Sequence, residues 1–219
     1  MINNLISIAK LDGNLRPYQK DSKVDIYEAW TKADSVLFQM PTGTGKTRLF
    51  SSIIKDIRNI SIQERILPQP RILVLAHRSE LIEQIADTLL LKYNIVTGII
   101  KSGLSENQDA LVQVASVQSL SRRLARWKKI PFGFIIIDEA HHALAKTYLK
   151  ICAEFPSAKI LGVTATPYRL NKESFRKIFS RLVTSRPVQE FIDMGYLSKY
   201  QYYSIRPYAA LQNDINNIC

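Results

Sequence analysis

Short, mostly apolar runs alternate with longer amphipathic stretches along this chain. Five runs are rich in β-branched residues, and they cover residues 36–40, 72–76, 112–115, 134–137 and 160–163. Runs of this length and composition are typical of β-strands that are covered on both faces. Their alternation with longer stretches predicts parallel strands joined by helices.

The stretches between the runs have a helical period. One apolar stripe consists of Leu81, Ile82, Ile85, Ala86, Leu89 and Leu90, and it predicts a helix with Ser79 as its N-cap and Glu80 near its positive end. In 117–129, Val117, Leu120, Leu124 and Trp127 fall on one side, and Arg122, Arg126 and Lys129 fall on the other. We expect an α/β fold with a central, mostly parallel sheet flanked by helices.

Polar motifs follow four of the predicted strands. PTGTGKT follows the first, HRSEL the second, DEAH the run at 134–137 and TATP the last. Ligands of open α/β sheets bind beyond the carboxyl ends of the strands. We therefore expect these motifs to gather along one edge and to form the active site.

The first motif has the pattern of a phosphate-binding loop. Its glycines permit backbone conformations in which successive N–H groups face phosphate oxygens, and a helix predicted over 46–57 presents its positive end to the same anion. Lys46 is predicted to reach the β- and γ-phosphates, and the Thr47 hydroxyl to bind Mg²⁺. The candidate nucleotide-binding residues are Pro41, Thr42, Gly43, Thr44, Gly45, Lys46 and Thr47. Kinases, GTPases and transporters share such loops.

An acidic pair follows the buried run at 134–137. Asp138 stands directly after the apolar residues, where a carboxylate downstream of a phosphate-binding loop holds Mg²⁺. Glu139 is the adjacent candidate for the group that positions and deprotonates the attacking water. The pair indicates hydrolysis of a nucleoside triphosphate.

Charge and cysteine content narrow the class of protein. Thirty Lys+Arg against nineteen Asp+Glu among 219 residues give a net charge of +11, which favours an anionic partner such as nucleic acid. The two cysteines form no paired motif, which suits a reducing cytosol. The first residues lack the pattern of a secretory signal, and no apolar run approaches the roughly 20 residues of a membrane span. We expect a cytoplasmic protein without a membrane partner.

Taken together, PTGTGKT, DEAH and TATP resemble motifs I, II and III of the superfamily 2 helicases of DEAH type. LRPYQ resembles their Q motif, LAHRSELIEQ their motif Ia, and ASVQSL the next motif on the nucleic-acid track. The resemblance covers most of the chain, from about residue 15 to about residue 199. Met40 stands where the general loop pattern has glycine, a departure that is common among helicase-like loops. The resemblance implies a RecA-like P-loop NTPase lobe that uses ATP and Mg²⁺.

The resemblance also implies roles for individual residues. Gln19 and Arg16 would read the adenine base, and His141, Thr164 and Thr166 would couple the nucleotide site to the nucleic-acid surface. The positions on the nucleic-acid track are His77, Arg78, Ser116 and Gln118. Independently of the family, Arg122 and Arg126 could contact phosphates, although a merely solvated helix face accounts for them equally well.

AHRSEL and TATPYR resemble the group that contains restriction-enzyme motors and XPB-type DNA helicases, so DNA is favoured over RNA as partner. Residues 1–205 are expected to form one domain that ends in a strand at 200–205, and 206–219 to form a tail or linker. A second RecA-like lobe would belong to the full-length protein or to a partner chain. The alternatives are a nucleotide-switched nucleic-acid-binding module without motor activity and an RNA helicase lobe.

Overall fold

A seven-stranded parallel sheet forms the centre of the computed structural model, which describes residues 1–104, 106–166 and 177–200. The strands are β1 (Ser35–Gln39), β2 (Arg71–Ala76), β3 (Gly98–Ile100), β4 (Val112–Ser116), β5 (Phe132–Asp138), β6 (Lys159–Thr164) and β7 (Arg181–Thr184). They lie in the order β3-β4-β2-β5-β6-β1-β7, and every pairing is parallel. The α/β class and the parallel sheet predicted from the sequence are confirmed.

Helices connect the strands. Those of the first part of the chain are α1 (Ile2–Ile8), α2 (Pro17–Trp30), α3 (Lys46–Gln63) and α4 (Ser79–Tyr93). They are followed by α5 (Val117–Trp127), a short 3₁₀ helix (Ala140–His142), α6 (Lys146–Ala153) and α7 (Val188–Asp193). Because parallel strands begin at the same edge of the sheet, a crossover must return the chain to that edge. Helices α3, α4, α5 and α6 do so between β1 and β2, β2 and β3, β4 and β5, and β5 and β6.

All five predicted strands are present, with ends that differ by one or two residues. The sequence pattern does not predict β3 or β7. β3 has only three residues, and β7 consists largely of exposed residues at one end of the strand order. Neither strand therefore has the continuous apolar run that predicts a strand buried on both faces.

The predicted helices are confirmed with two corrections at α4. Ser79 is wrong as the N-cap, because Arg78 holds that position and Ser79 is the first helical residue. Glu80 does lie in the first turn. Leu90 was expected in the buried stripe, but it is 46% exposed, so the stripe that packs inward is narrower. The helix after the phosphate-binding loop begins at Lys46 as predicted and continues beyond residue 57 to Gln63.

Two apolar layers enclose the sheet. On one side, α5 and α6 share a core with alternate strand residues such as Leu37, Leu75 and Ile137. The neighbouring residues along the same strands, such as Phe38 and Val74, are fully buried on the opposite face of the sheet, because side chains alternate along a strand. On the sheet, α2 packs against β1, and α4 packs against β2 and β4.

The chain divides into two compact units, Met1–Pro187 and Val188–Cys219. The sheet and helices α1–α6 belong to the first unit. In the second, α7 contains the buried residues Phe191 and Ile192. The strand predicted at 200–205, apart from Tyr200, and the tail at 206–219 lie outside the described residues, as do residues 167–169 of the TATPYR motif.

Candidate active site

The phosphate-binding loop joins β1 to the N-terminus of α3. Gly43 and Gly45 have φ values of 83° and 88°, in the left-handed region that favours glycine, and Gly45 is the N-cap of α3. The Thr44 hydroxyl donates to the Pro41 carbonyl at 2.6 Å and closes the turn. Lys46 is buried, with its Nζ 3.4 Å from the Met40 carbonyl. Backbone N–H groups, a helix N-terminus and a buried ammonium thus converge on a site suited to phosphate.

The first turn of α2 lies over this loop. The Tyr18 hydroxyl donates to the Thr44 carbonyl at 2.8 Å, and Gln19 Nε2 donates to the carbonyls of Thr44 and Gly45, both at 3.1 Å. Gln19 Oε1 accepts from the backbone N–H of Arg16 at 2.9 Å. A Cβ atom at Gly45 would lie 2.6 Å from Gln19 Nε2, so the loop approaches this helix as closely as glycine allows. Sequence reasoning missed Tyr18, although it lies next to Gln19 within LRPYQ.

The acidic pair lies at the carboxyl end of β5. Asp138 is 5% exposed, and its burial, together with the charge of Glu139, raises its pKa to about 6 against the opposing effects of the Glu139 N–H and Lys46. Burial lowers the pKa of Lys46, while the charges of Glu139 and Asp138 oppose that shift. Glu139 has a φ of 51°, which non-glycine residues rarely adopt. The charges of the loop ammonium and of both carboxylates therefore influence one another across the site.

A cavity of about 360 Å³ adjoins the loop. Arg16, Gln19 and Thr47 line it, together with side chains from α3 and α4 that sequence reasoning did not select. These additional residues are Arg48, Gln84, Thr88 and Lys92. The sequence gave no sign that the three residues of α4 contribute, because only the packing of α4 beside α3 brings them to the loop.

The donor chemistry fits a magnesium nucleotide. The Asp138 carboxylate and the Thr47 hydroxyl supply the oxygen ligands that Mg²⁺ prefers. Asp138 is buried, and its raised pKa indicates that Lys46 compensates its charge incompletely, as expected at a position that holds a cation. The left-handed glycines of the loop leave its backbone without side chains where phosphate would approach.

The three histidines of the chain form one row along the same edge. His141 Nδ1 lies 3.2 Å from the Thr164 Oγ1 and 3.2 Å from Glu139 Oε2. The ring centroids of His141 and His142 are 4.1 Å apart, and those of His142 and His77 are 4.7 Å apart and stacked. The row joins the acidic pair to the end of β2. Sequence reasoning selected His77 and His141 but missed His142 between them.

Thr164 also organises the end of β6. Its Oγ1 accepts from the backbone N–H of Thr166 at 3.1 Å, so both predicted coupling residues belong to one hydrogen-bonded turn. A second cavity, of about 390 Å³, opens beside this turn. Its lining includes Thr42, Arg78, Glu139 and Thr166. Residues of all four strand-end motifs therefore meet at one edge of the sheet, as expected for a parallel fold.

The predicted nucleic-acid residues divide into two groups. His77 and Arg78 are exposed at the end of β2, beside the second cavity. Ser116 is instead the N-cap of α5, where its Oγ accepts from the backbone N–H of Ser119, and it also lies 3.0 Å from Gln118 Oε1.

On α5 the structure separates the two predicted arginines. Arg122 is exposed, whereas Arg126 NH1 lies 3.2 Å from Glu106 Oε2, and Glu106 also binds Arg123 at 2.6 Å. The charge of Arg126 on α5 is therefore partly neutralised by a carboxylate that lies between β3 and β4. Among residues 1–104, 106–166 and 177–200, none of the helices is both long enough and apolar enough to cross a membrane.

Comparisons with known proteins agree with this geometry. A family model described as type III restriction enzyme, res subunit, matches residues 12–169. A Saccharomyces cerevisiae protein named putative ATP-dependent helicase IRC3 is 33% identical over 213 residues, which cover 91% of this chain and 30% of that protein. The Sulfurisphaera tokodaii protein named DNA 3'-5' translocase XPB2 is 24% identical, with 89% of this chain and 41% of that protein covered. The chain thus spans less than half the length of these relatives.

A solved structure has the same fold. A nuclease-deletion mutant of the type ISP restriction-modification enzyme LlaGI, in complex with a DNA substrate mimic, superposes with a TM-score of 0.64 at 19% identity. The match covers 93% of this chain and 22% of that one. It shows that the two chains share the α/β fold around the site.

Proposed function

This chain belongs to the family of the type III restriction enzyme res subunit, and we propose that it is the ATP-binding, N-terminal lobe of a nucleic-acid helicase or translocase. We further propose that it is of the DEAH type of superfamily 2, which its Asp138-Glu139-Ala140-His141 sequence supports, and that it belongs with the restriction-enzyme motors and XPB-type proteins, which AHRSEL and TATPYR support. The observation that carries the proposal is a loop with two left-handed glycines whose buried Lys46 ammonium feels the charges of the Asp138 and Glu139 carboxylates at the end of β5.

Each residue of this arrangement has a chemical task. Lys46 binds the β- and γ-phosphates, and Thr47 and Asp138 hold Mg²⁺ through their oxygens. The bound ion would neutralise charge that develops on the phosphates. Glu139 accepts the proton of the attacking water. Gln19 and Arg16 bind the adenine base, which lies in the cavity of about 360 Å³ beside the loop.

The state of the nucleotide is transmitted through His141. Its Nδ1 lies between Glu139 and Thr164, so a change at the γ-phosphate that moves Glu139 also alters the hydrogen bond to Thr164. Thr164 holds Thr166 through the backbone, and Thr166 lines the second cavity. The exposed residues His77 and Arg78 line the same cavity and would contact the nucleic acid.

DNA is the favoured partner. One relative is named a DNA translocase, and the LlaGI structure contains a DNA substrate mimic. The net charge of +11 suits a polyanion, and Ser116, Gln118, Arg122 and Arg126 are the further candidate contacts. A second lobe would complete the catalytic site with arginines that face the γ-phosphate, a contribution of about 10³–10⁵ in rate. The lone chain is therefore expected to bind ATP and Mg²⁺, to hydrolyse ATP slowly and to unwind nothing.

The test is ATP turnover by the chain alone and with duplex DNA, single-stranded DNA or RNA. Glu139→Gln removes the base and leaves the binding residues intact, and Glu154→Gln, on an exposed carboxylate after α6, is the matched control. We expect slow turnover that DNA stimulates, that Glu139→Gln abolishes and that the control retains.

Other outcomes identify other functions. Stimulation by RNA in place of DNA would make the chain an RNA helicase lobe. Binding of ATP with no turnover, in the wild type and in Glu139→Gln alike, would favour a nucleotide-switched binding module. Robust unwinding by the isolated chain would refute the need for a second lobe.

A further inference from the structure

A row of polar side chains on α2 begins beside the phosphate-binding loop and contacts α3. Gln19, Lys23 and Tyr27 are spaced four residues apart and therefore lie on one face of α2. Lys23 Nζ lies 2.7 Å from Asp56 Oδ2 and donates to the Ser52 Oγ at 2.9 Å. The Tyr27 hydroxyl donates to Asp56 Oδ2 at 3.0 Å. The two turns that follow Gln19 are thus bonded to the helix that begins at the loop.

The segment before α2 joins the same network through Asp12. The Ser52 hydroxyl donates to Asp12 Oδ2 at 2.6 Å, and Lys55 Nζ lies 3.0 Å from the same oxygen. The backbone N–H of Asn14 donates to Asp12 Oδ1 at 2.9 Å. Burial alone would raise the pKa of Asp12, but the bonds from Ser52, Asn14 and Lys55 outweigh it and lower the pKa to about 2. The chain is therefore held against α3 on both sides of Gln19.

The network is buried and balanced in charge. Lys23 is fully buried, and Asp56 and Asp12 are 2% and 3% exposed. Lys23 and Lys55 face two carboxylates. Buried ion pairs contribute little net stability, because the loss of hydration opposes their attraction, but they are directional and penalise any displaced arrangement. The network therefore serves to fix the position of α2 relative to α3 more than to add to the stability of their packing.

We propose that the Lys23–Asp56 pair fixes the register of α2 on α3 and so holds Gln19 where it can read the nucleotide base. The inference rests on the proposed function, because it requires a nucleotide on the loop. Lys23 lies one helical turn from Gln19, and a slip of α2 by a single residue would move Gln19 by about 1.5 Å. That displacement would break its bonds of 3.1 Å to Thr44 and Gly45. Lys23 and Asp56 are positioning residues, since neither lines the cavity.

The experiment separates base recognition from phosphate binding. Lys23→Met/Asp56→Leu replaces the pair by apolar side chains of similar size, a change that buried pairs often tolerate without loss of stability. Calorimetry with ATP, GTP and inorganic tripolyphosphate then compares ligands with either base and with none. We expect the preference for ATP over GTP to fall by about tenfold, the effect of one hydrogen bond, while tripolyphosphate affinity stays within about twofold. Adding Gln19→Ala to this double variant should cause no further loss of preference.

One further variant tests the same network by a smaller change, and a second serves as a control. Ser52→Ala removes only the hydroxyl between Lys23 and Asp12 and keeps the helix, so it should reduce the preference in the same direction even if the double variant fails to fold. The control variant Lys101→Met/Glu83→Leu removes a different ion pair, in which Lys101 Nζ lies 2.7 Å from Glu83 Oε1. It should leave the preference for ATP over GTP unchanged.

The contrary outcomes are distinct. A double variant and a Ser52→Ala variant that keep the full preference for ATP would overturn the inference. An equal loss of affinity for all three ligands would also overturn it, because the network would then act on the phosphate-binding loop itself. A wild type that binds ATP and GTP equally would overturn base reading but leave an ATPase lobe. A wild type that binds none of the three ligands would overturn the proposed function, and with it the inference.

Discussion

Gly45→Ala tests the close approach of the phosphate-binding loop to α2. Gly45 has a φ of 88°, and the added Cβ would lie 2.6 Å from Gln19 Nε2. The substitution therefore has two costs. It places a side chain on a left-handed backbone, and its Cβ collides with the Gln19 amide, which donates hydrogen bonds to the loop. Gly13→Ala is the matched control, because a Cβ there meets nothing within 4 Å.

The magnitude follows from these contacts. Alanine in the left-handed region costs roughly 1–2 kcal/mol. Relief of the collision must displace Gln19 Nε2 from the carbonyls of Thr44 and Gly45, and each of these hydrogen bonds contributes about 0.5–1.5 kcal/mol. The free energy of unfolding should therefore fall by about 2–5 kcal/mol in Gly45→Ala. In the control it should change by less than about 0.5 kcal/mol.

A double-mutant cycle with Gln19→Ala separates the two costs. Denaturant unfolding of the wild type, both single variants and the double variant gives the coupling free energy between the two positions. In the Gln19→Ala background the collision is absent, so Gly45→Ala should cost only the backbone strain of roughly 1–2 kcal/mol.

An additive cycle would refute this reasoning. If Gly45→Ala costs the same free energy with and without the Gln19 side chain, the amide does not rest against the glycine. A Gly45→Ala variant as stable as Gly13→Ala would further show that the loop does not hold its left-handed conformation.

Three further predictions concern the rest of the site. Gly162→Ala places a Cβ 2.5 Å from a ring atom of buried Phe179, so thermal unfolding should show a loss of about 1–3 kcal/mol; no loss would contradict this packing. Because burial raises the pKa of Asp138 to about 6, its carboxyl gains a proton as pH falls through that value, and Mg²⁺-dependent ATP binding should weaken there; constant affinity between about pH 5 and 8 would contradict it. His142→Ala breaks the ring row to His77 and should reduce nucleic-acid stimulation of turnover by up to about tenfold while basal turnover stays; unchanged stimulation would remove His142 from the coupling.

Strands buried in the middle of the sheet were predictable because their pattern is local. Residues 72–76 and 134–137 are continuous apolar runs, and they form β2 and β5. Strand β7 was not predictable, since its residues are largely exposed and, among the residues that the structure describes, it pairs only with the distant β1. Its position in the sheet depends on a partner more than 140 residues earlier in the chain.

The candidate site divides in the same way. Lys46, Asp138 and Glu139 were predictable because each lies in a short motif directly after a strand, and parallel strands bring such motifs to one edge. His142 was missed because its stacking on His77 joins two loops that are far apart in sequence. Arg126 was predicted as a phosphate contact, which stays a prediction, but its pairing with Glu106 is invisible in the helical period of α5.

The sequence by itself therefore determined the parallel α/β class, the phosphate-binding loop and the acidic pair, because strand patterning and motif spacing depend on neighbouring residues. Only the tertiary structure decided how Gln19 is held. The bond between Lys23 and Asp56 joins residues on two helices, and a lysine four residues after a glutamine predicts no partner by itself. Packing of α2 on α3 buries both charges, and burial makes their pairing obligatory, since an unpaired buried charge costs several kcal/mol.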